Sequence, residues 1–154
     1  MRVFIDCEFN GFHGHLITMA LVSEDGNELY VDVDPCDKPV CDFVRQYVIP
    51  VIEAPGAVPH SLGQDQLPYA LSEFLCQYGV VHLIADWPDD IKYFCESLIT
   101  APGKRVDTPE MVMQIIREDA ESEVPHNALY DARAIRDVYN EVYINNGDGE
   151  ELNV

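Results

Sequence analysis

Asp6, Glu8, Asp90, His126 and Asp131 are the residues of this chain whose types and spacing could do chemistry together. Carboxylates offer hard oxygen ligands to Mg²⁺ or Mn²⁺, and a histidine can take up a proton near neutral pH. Four acids and one histidine are the set that a two-metal hydrolysis of a phosphodiester would need.

Asp6 and Glu8 interrupt the apolar run Val3-Phe4-Ile5-Asp6-Cys7-Glu8, which reads as a strand. Strand side chains alternate, so the two acids share one face while Ile5 and Cys7 take the other. Neighbouring carboxylates repel, and burial adds to that cost unless a cation joins them. The plain alternative is a strand end opening into solvent. Asp131 continues the helical stripe Asp131, Ile135, Val138 and Val142, spaced by four, three and four residues. An inward acid calls for a metal or a buried arginine, whereas a first-turn Asp at the rim only needs the helix dipole. His126 precedes that helix on a loop after Pro125, placed either to act as a base or to sit on the surface.

Asp86, Asp89 and Asp90 must be separated. Asp86 ends an apolar run and fits a helix N-cap, with Asp89 in the capping-box position. Asp90 stands four residues before Phe94 and eight before Leu98, at the edge of an inner stripe. Asp90 is therefore the third expected metal ligand, with Asp86 in reserve.

The elements that must position these residues follow from periodicity and turn chemistry. Residues 2–8, 15–23 and Glu28 to Val33 read as strands, with a hairpin at Glu24-Asp25-Gly26-Asn27. Cys41 to Val48 predicts a helix, followed by a Pro-rich passage from Pro50 to Pro59. Leu67, Leu71, Phe74, Leu75 and Tyr78 form a helical stripe, and Val80 to Ala85 reads as a buried strand. A helix from about Pro88 carries Ile91, Phe94, Cys95 and Leu98; further helices are expected over Pro109 to Arg117 and over 128–144. The whole predicts one α/β domain over residues 1–145, a central mixed β-sheet flanked by α-helices, with 146–154 as an acidic, fraying tail.

Bulk composition narrows the classes. At 154 residues the chain suits one domain with a substantial core. It has no run of about 20 apolar residues for a membrane helix and no basic-then-apolar leader, so a cytoplasmic, non-membrane protein is expected. Five cysteines without a Cys-x-x-Cys pair argue against a disulfide framework or a zinc knuckle. A calcium loop of the Asp-x-Asp-x-Asp-Gly type is absent. The net charge of −19, from nine Lys+Arg against 28 Asp+Glu, disfavours tracking along long nucleic acids. A small acidic cleft filled by divalent cations escapes that objection, because the ions reverse the local field.

Taken together the motifs resemble the DEDDh family of 3′–5′ exonucleases. Asp6-Cys7-Glu8 matches the family's first motif, Asp-x-Glu, and His126 through Asp131 matches its third, His-x-x-x-x-Asp. Asp86-Trp87-Pro88-Asp89-Asp90 resembles the second motif, Asn-x-x-x-Asp, with acids at the positions of the usual Asn and of an aromatic residue. The stretches Phe4 to Phe9 and Met19 to Gly26 look like a compact bacterial or phage branch that includes the small mycobacterial-type exoribonucleases. The resemblance implies a ribonuclease-H-like fold and hydrolysis of single-stranded RNA, or a short oligonucleotide, from the 3′ end to nucleoside 5′-monophosphates. It implies two divalent cations, Mg²⁺ or Mn²⁺, held by Asp6, Glu8, Asp90 and Asp131, with His126 as general base. It puts Phe9, Asn10, Phe12 and Leu16 against the terminal nucleotide, although core packing also accounts for Phe9 and Leu16. Many relatives are homodimers, which the helical stripes do not reveal. Two rival readings stand: an acidic interaction protein or nucleic-acid mimic without catalysis, and a phosphodiesterase for dinucleotides or other small substrates.

Overall fold

The computed structural model describes residues 1–33 and 39–145. The expected tail at 146–154 and Cys36 lie outside the described residues. The first strand, β1 (Arg2–Phe9), pairs antiparallel with β2 (Leu16–Ser23), which pairs antiparallel with β3 (Glu28–Val33). Gly26, at φ 92°, makes the β2–β3 turn, where an L side chain would be strained. Beyond β3 a short parallel strand, β4 (His60–Leu62), closes one edge of the sheet. On the other side β1 pairs in parallel with β5 (Val80–Ala85), and β5 with β8 (Glu110–Ile115). The order β4-β3-β2-β1-β5-β8 makes a mixed six-stranded sheet with β1 near its middle. A separate two-stranded ribbon joins β6 (Ile99–Ala101) to β7 (Lys104–Arg105).

Helices cover both faces. On one side, α1 (Leu67–Leu75) and α2 (Pro88–Ser97) bury Leu71, Leu75 and Phe94 against Val3, Ile5, Leu21, Val31 and Leu83. On the other, α3 (Ala128–Tyr139) lays Ala128, Leu129 and Ala132 on Ala20, Val22 and Tyr30. Farther along, its Ile135 and Tyr139 meet Phe4 and Ile84. Small residues at 128 and 132 let the first turns of α3 lie close to the sheet, which brings its acidic N-terminus to β1. The chain continues past Tyr139 as a wider π turn over Asn140–Asn145, so the helix expected over 128–144 is helical in two pitches.

Several expectations are corrected. The segment Pro109 to Arg117 is the strand β8 rather than a helix. Met and Gln favour helices, but ladder bonds to β5 from Val80↔Glu110 through Ala85↔Ile115 win over local propensity. The strand β4, just after the Pro-rich passage, and the β6–β7 ribbon have too few residues to announce themselves by periodicity. Asp86 is not the N-cap of α2. Pro88 occupies the first helical turn, so the extended residue before it, Trp87, takes the cap position without a side-chain cap bond. Asp89 accepts instead from the Trp87 indole N–H at 3.1 Å. The helix expected over Cys41 to Val48 is mostly a π turn, Val44–Val48, running into a 3₁₀ turn at Ile49–Val51.

Asn127 fixes the entry to α3. Fully buried, it accepts from the Leu129 and Tyr130 amides, both at 3.1 Å. Its side-chain amide donates to the Val51 carbonyl at 2.8 Å and the Ile52 carbonyl at 3.0 Å. One side chain thereby caps the helix and ties it to the 49–52 turn. Asn127→Ala would orphan groups at both ends and should cost about 2 kcal/mol, lowering the melting temperature by roughly 4–8 °C. An unchanged melting curve would contradict this bonding.

Candidate metal centre

The site is built at the C-terminal end of β1, where three elements converge. Alternation puts Asp6 and Glu8 on the α3 face, opposite Ala20 and Thr18 of β2, while Cys7 goes into the core. Immediately after Glu8 the pairing slips: Glu8 opposes Thr18 but Phe9 opposes Leu16, leaving Ile17 as the extra residue of a bulge. The strand can therefore turn away just past its acids.

From the second side, α2 brings Asp90 in its first turn. Asp90 is only 1 % exposed and accepts from the Cys7 amide at 3.0 Å, a bond that locks α2 to β1. From the third side, α3 brings Asp131, whose Oδ2 accepts from the His126 amide at 2.9 Å. His126 adopts a left-handed backbone, φ 68°, which few non-glycine residues take. That kink aims its imidazole at the acids, with Nδ1 at 3.9 Å from Glu8 Oε1.

The result is two carboxylate triads with a shared member. Oxygens of Asp6, Glu8 and Asp131 lie within 4.8 Å of one another, and so do oxygens of Asp6, Asp86 and Asp90. All four acids expected as ligands are thus brought together, and Asp86 and Asp90 both belong to the cluster. Asp6 Oδ2 and Asp90 Oδ2 are buried without a hydrogen-bond partner among the described residues. Unsatisfied buried carboxylate oxygens are costly, and a divalent cation with oxygen preference is the partner their chemistry fits.

Electrostatics say the same. Burial first, then Asp90, Glu8 and Asp131, pushes the Asp6 carboxyl well above the usual carboxylate range. Burial and Asp131 push Glu8 up to about 8, and burial and Asp86 push Asp90 up to about 8. Asp86 and Asp131 are raised too, mainly by burial. The arginines of α3 are engaged elsewhere, Arg133 with Glu28 at 2.7 Å and Arg136 with Asp137 at 2.9 Å.

A cavity of about 520 Å³ opens on this cluster, lined by Asp6, Asp86, Ser122, His126 and Asp131 among others. A larger one, about 620 Å³, is lined by Asp119, Glu121, Glu123, Asp137 and Glu141 together with Arg133 and Arg136. Among the described residues none of those five acids belongs to a group of three whose oxygens lie within 4.8 Å of one another, so the smaller cavity is the candidate metal site.

No family model and no curated protein matches this chain.

Of the residues expected against a substrate, Phe9 stacks on Tyr93 with ring centroids 4.8 Å apart, and both Phe9 and Leu16 pack on the core. Asn10 accepts from the Cys41 amide at 2.7 Å and donates to the Pro39 carbonyl at 3.0 Å, fastening the start of the 42–48 turn. Phe12 is 90 % exposed, beside His13. Sequence reasoning missed Phe43 and Tyr47. Both rings are half exposed and face His126, with centroids 5.2 and 6.3 Å from it. The signal was present: aromatics four apart, offset by one from the apolar pair Val44 and Val48, which point inward.

The raised carboxyls set a pH dependence. A carboxyl with a folded-state value above its unfolded value binds its proton more tightly in the native state, so stability falls as pH rises through that interval. For Glu8 and Asp90 the interval runs from their ordinary range near 4 to about 8. In EDTA the melting temperature should therefore drop between about pH 5 and 8, and Mn²⁺ should remove most of the drop. A flat or rising EDTA profile across that window would refute the clustered acids.

Proposed function

We propose that this chain is a metal-dependent 3′–5′ exoribonuclease of the DEDDh type on a ribonuclease-H-like fold. The observation that carries the reading is His126 Nδ1 at 3.9 Å from Glu8, beside two carboxylate triads joined at Asp6. A base next to a hard-cation cluster is the arrangement that phosphodiester hydrolysis requires. The mixed six-stranded sheet with helices on both faces is compatible with that fold.

Asp6, Glu8, Asp90 and Asp131 would hold two Mg²⁺ or Mn²⁺ ions. When bound, the ions supply charge neutralisation at the scissile phosphate and lower the cost of generating hydroxide. The chain's own part is to fix the acids on packed elements and to take up the proton of the attacking water on His126. Phe43 and Tyr47 would stack on a base of the 3′ end, Phe12 offering a further exposed ring across the first-motif loop. Release of a nucleoside 5′-monophosphate completes each turnover.

The −19 charge supports a short substrate over a long one, because few cations are present to track a backbone. A phosphodiesterase for dinucleotides is thus the second reading, and activity that collapses with oligomer length would favour it. A non-catalytic acidic mimic leaves unexplained why Asp90, 1 % exposed, gathers with Asp6 and Asp86 around unpaired oxygens, since a mimic needs only charge displayed at the surface.

On 5′-labelled single-stranded RNA with Mn²⁺ or Mg²⁺, the wild type should give a ladder shortening from the 3′ end, abolished by EDTA and by Asp131→Asn. A DNA twin of the same sequence reports the sugar preference. His126→Ala should cut turnover about 100-fold or more while leaving Mn²⁺ binding nearly intact. Intact RNA under every metal condition would sink the exonuclease reading. Separately, Phe43→Ala should raise KM for oligonucleotides about tenfold with a smaller change in kcat. Unchanged KM in Phe43→Ala and Tyr47→Ala together would remove these rings from the substrate path.

A further inference from the structure

We propose that Asp86 is a metal ligand in its own right, so that five carboxylates rather than four hold the cations of this centre. The inference rests on the metal-dependent reading above and assigns to Asp86 a role in binding a hard divalent cation such as Mn²⁺ or Mg²⁺.

Asp86 has no structural duty at the helix it precedes. The cap position of α2 belongs to Trp87, and no side chain caps that helix. No Lys, Arg or His forms an ion pair with Asp86 among the described residues. Its charge instead lies against other acids, its oxygen within 4.8 Å of oxygens of both Asp6 and Asp90. That placement is held by the fold. β5 delivers residue 86 at its C-terminal end, next to β1, through the parallel pairs Val3↔Leu83 and Phe4↔Ile84.

Asp90 provides the independent sign that something positive belongs here. It is 1 % exposed, one oxygen takes the Cys7 amide, and Oδ2 has no partner among the described residues. A buried, half-satisfied carboxylate flanked by Asp6 and Asp86 is costly when charged, and a cation that meets the three together relieves that cost. Asp86 also lines the same cavity as His126 and Asp131, so it reaches the cation from the open side while Asp90 reaches it from the core. One triad thus combines a buried ligand, a shared ligand and an accessible one. Five carboxylates carry −5 against the +4 of two divalent ions, and that extra charge should tighten cation binding.

The deciding comparison is Asp86→Asn with Asp89→Asn as control, each titrated with Mn²⁺ alone by calorimetry and electron spin resonance, and melted with and without Mn²⁺. The wild type should bind two Mn²⁺ per chain. Asp86→Asn should weaken one of them at least about tenfold. It should also raise the melting temperature in EDTA, because a like charge leaves the cluster, while the gain on adding Mn²⁺ shrinks. Asp89→Asn should match the wild type in Mn²⁺ binding, and Asp86→Glu should recover much of the lost affinity. Wild-type stoichiometry and affinity in Asp86→Asn would overturn the proposal. So would a lower EDTA melting temperature with an undiminished Mn²⁺ gain, which is the signature of a purely structural Asp. If the Mn²⁺ difference holds but wild-type protein leaves RNA uncut, Asp86 stands as a ligand and the exonuclease reading falls alone.

Discussion

Like-charge repulsion at one point of the molecule sets the terms for everything around it. Asp6, Glu8, Asp86, Asp90 and Asp131 converge where none of the described arginines or lysines pairs with them. Left to itself such a cluster would push its elements apart or keep its protons, and the raised Asp6, Glu8 and Asp90 carboxyls show the second response. The fold resists the first. β1 sits inside the sheet, bonded to β2 on one side and β5 on the other, so its register cannot slip without turning Asp6 and Glu8 into the Val3, Ile5 and Cys7 face. Two helix N-termini also point at the cluster, Asp90 in the first turn of α2 and Asp131 in the first turn of α3. Their partial positive charge offsets some of the repulsion.

Backbone amides complete that restraint. The Cys7 amide goes to Asp90 and the His126 amide to Asp131, so each helix acid is tied to a neighbouring segment. Each bond also leaves oxygen capacity free, as Asp90 Oδ2 shows. A site satisfied entirely by protein donors would have no reason to take a cation. This one is tied into the fold and still leaves buried oxygens that a cation could meet.

What the sequence disclosed and what it hid divide along physical lines. β1, the Asp-Gly hairpin and β5 were legible because alternation, a turn dipeptide and a β-branched run are local signals. β8 was not, because Glu-Met-Val-Met-Gln-Ile suits a helix until β5 offers it an edge. Asp86 was misassigned for a related reason. Asp ahead of a helix reads as a cap, but Pro88 moves the helix start by one and leaves Asp86 to the cluster. Phe9 and Leu16 read equally as wedge or core from sequence, and only packing shows them on the core. The spacing of Phe43 and Tyr47 marks an outward aromatic pair, but only the tertiary structure shows that His126, some eighty positions later, lies beside them.

The bulge after Glu8 links these pieces. With Ile17 unpaired in the ladder, its side chain packs on Val44 and Val48 and seats the π turn against the sheet. Asn10, on the loop that the bulge releases, fixes the approach to that turn through Pro39 and Cys41. A π turn closes i→i+5 bonds and is broader than an α-helical turn, and with Val44 and Val48 inward it presents Phe43 and Tyr47 toward His126. One irregularity in one strand pair therefore redirects the chain just past the acids and positions the aromatic pair beside His126. Acid cluster and exposed rings are consequences of the same local geometry, so a change at Ile17 or Asn10 would disturb both without touching either.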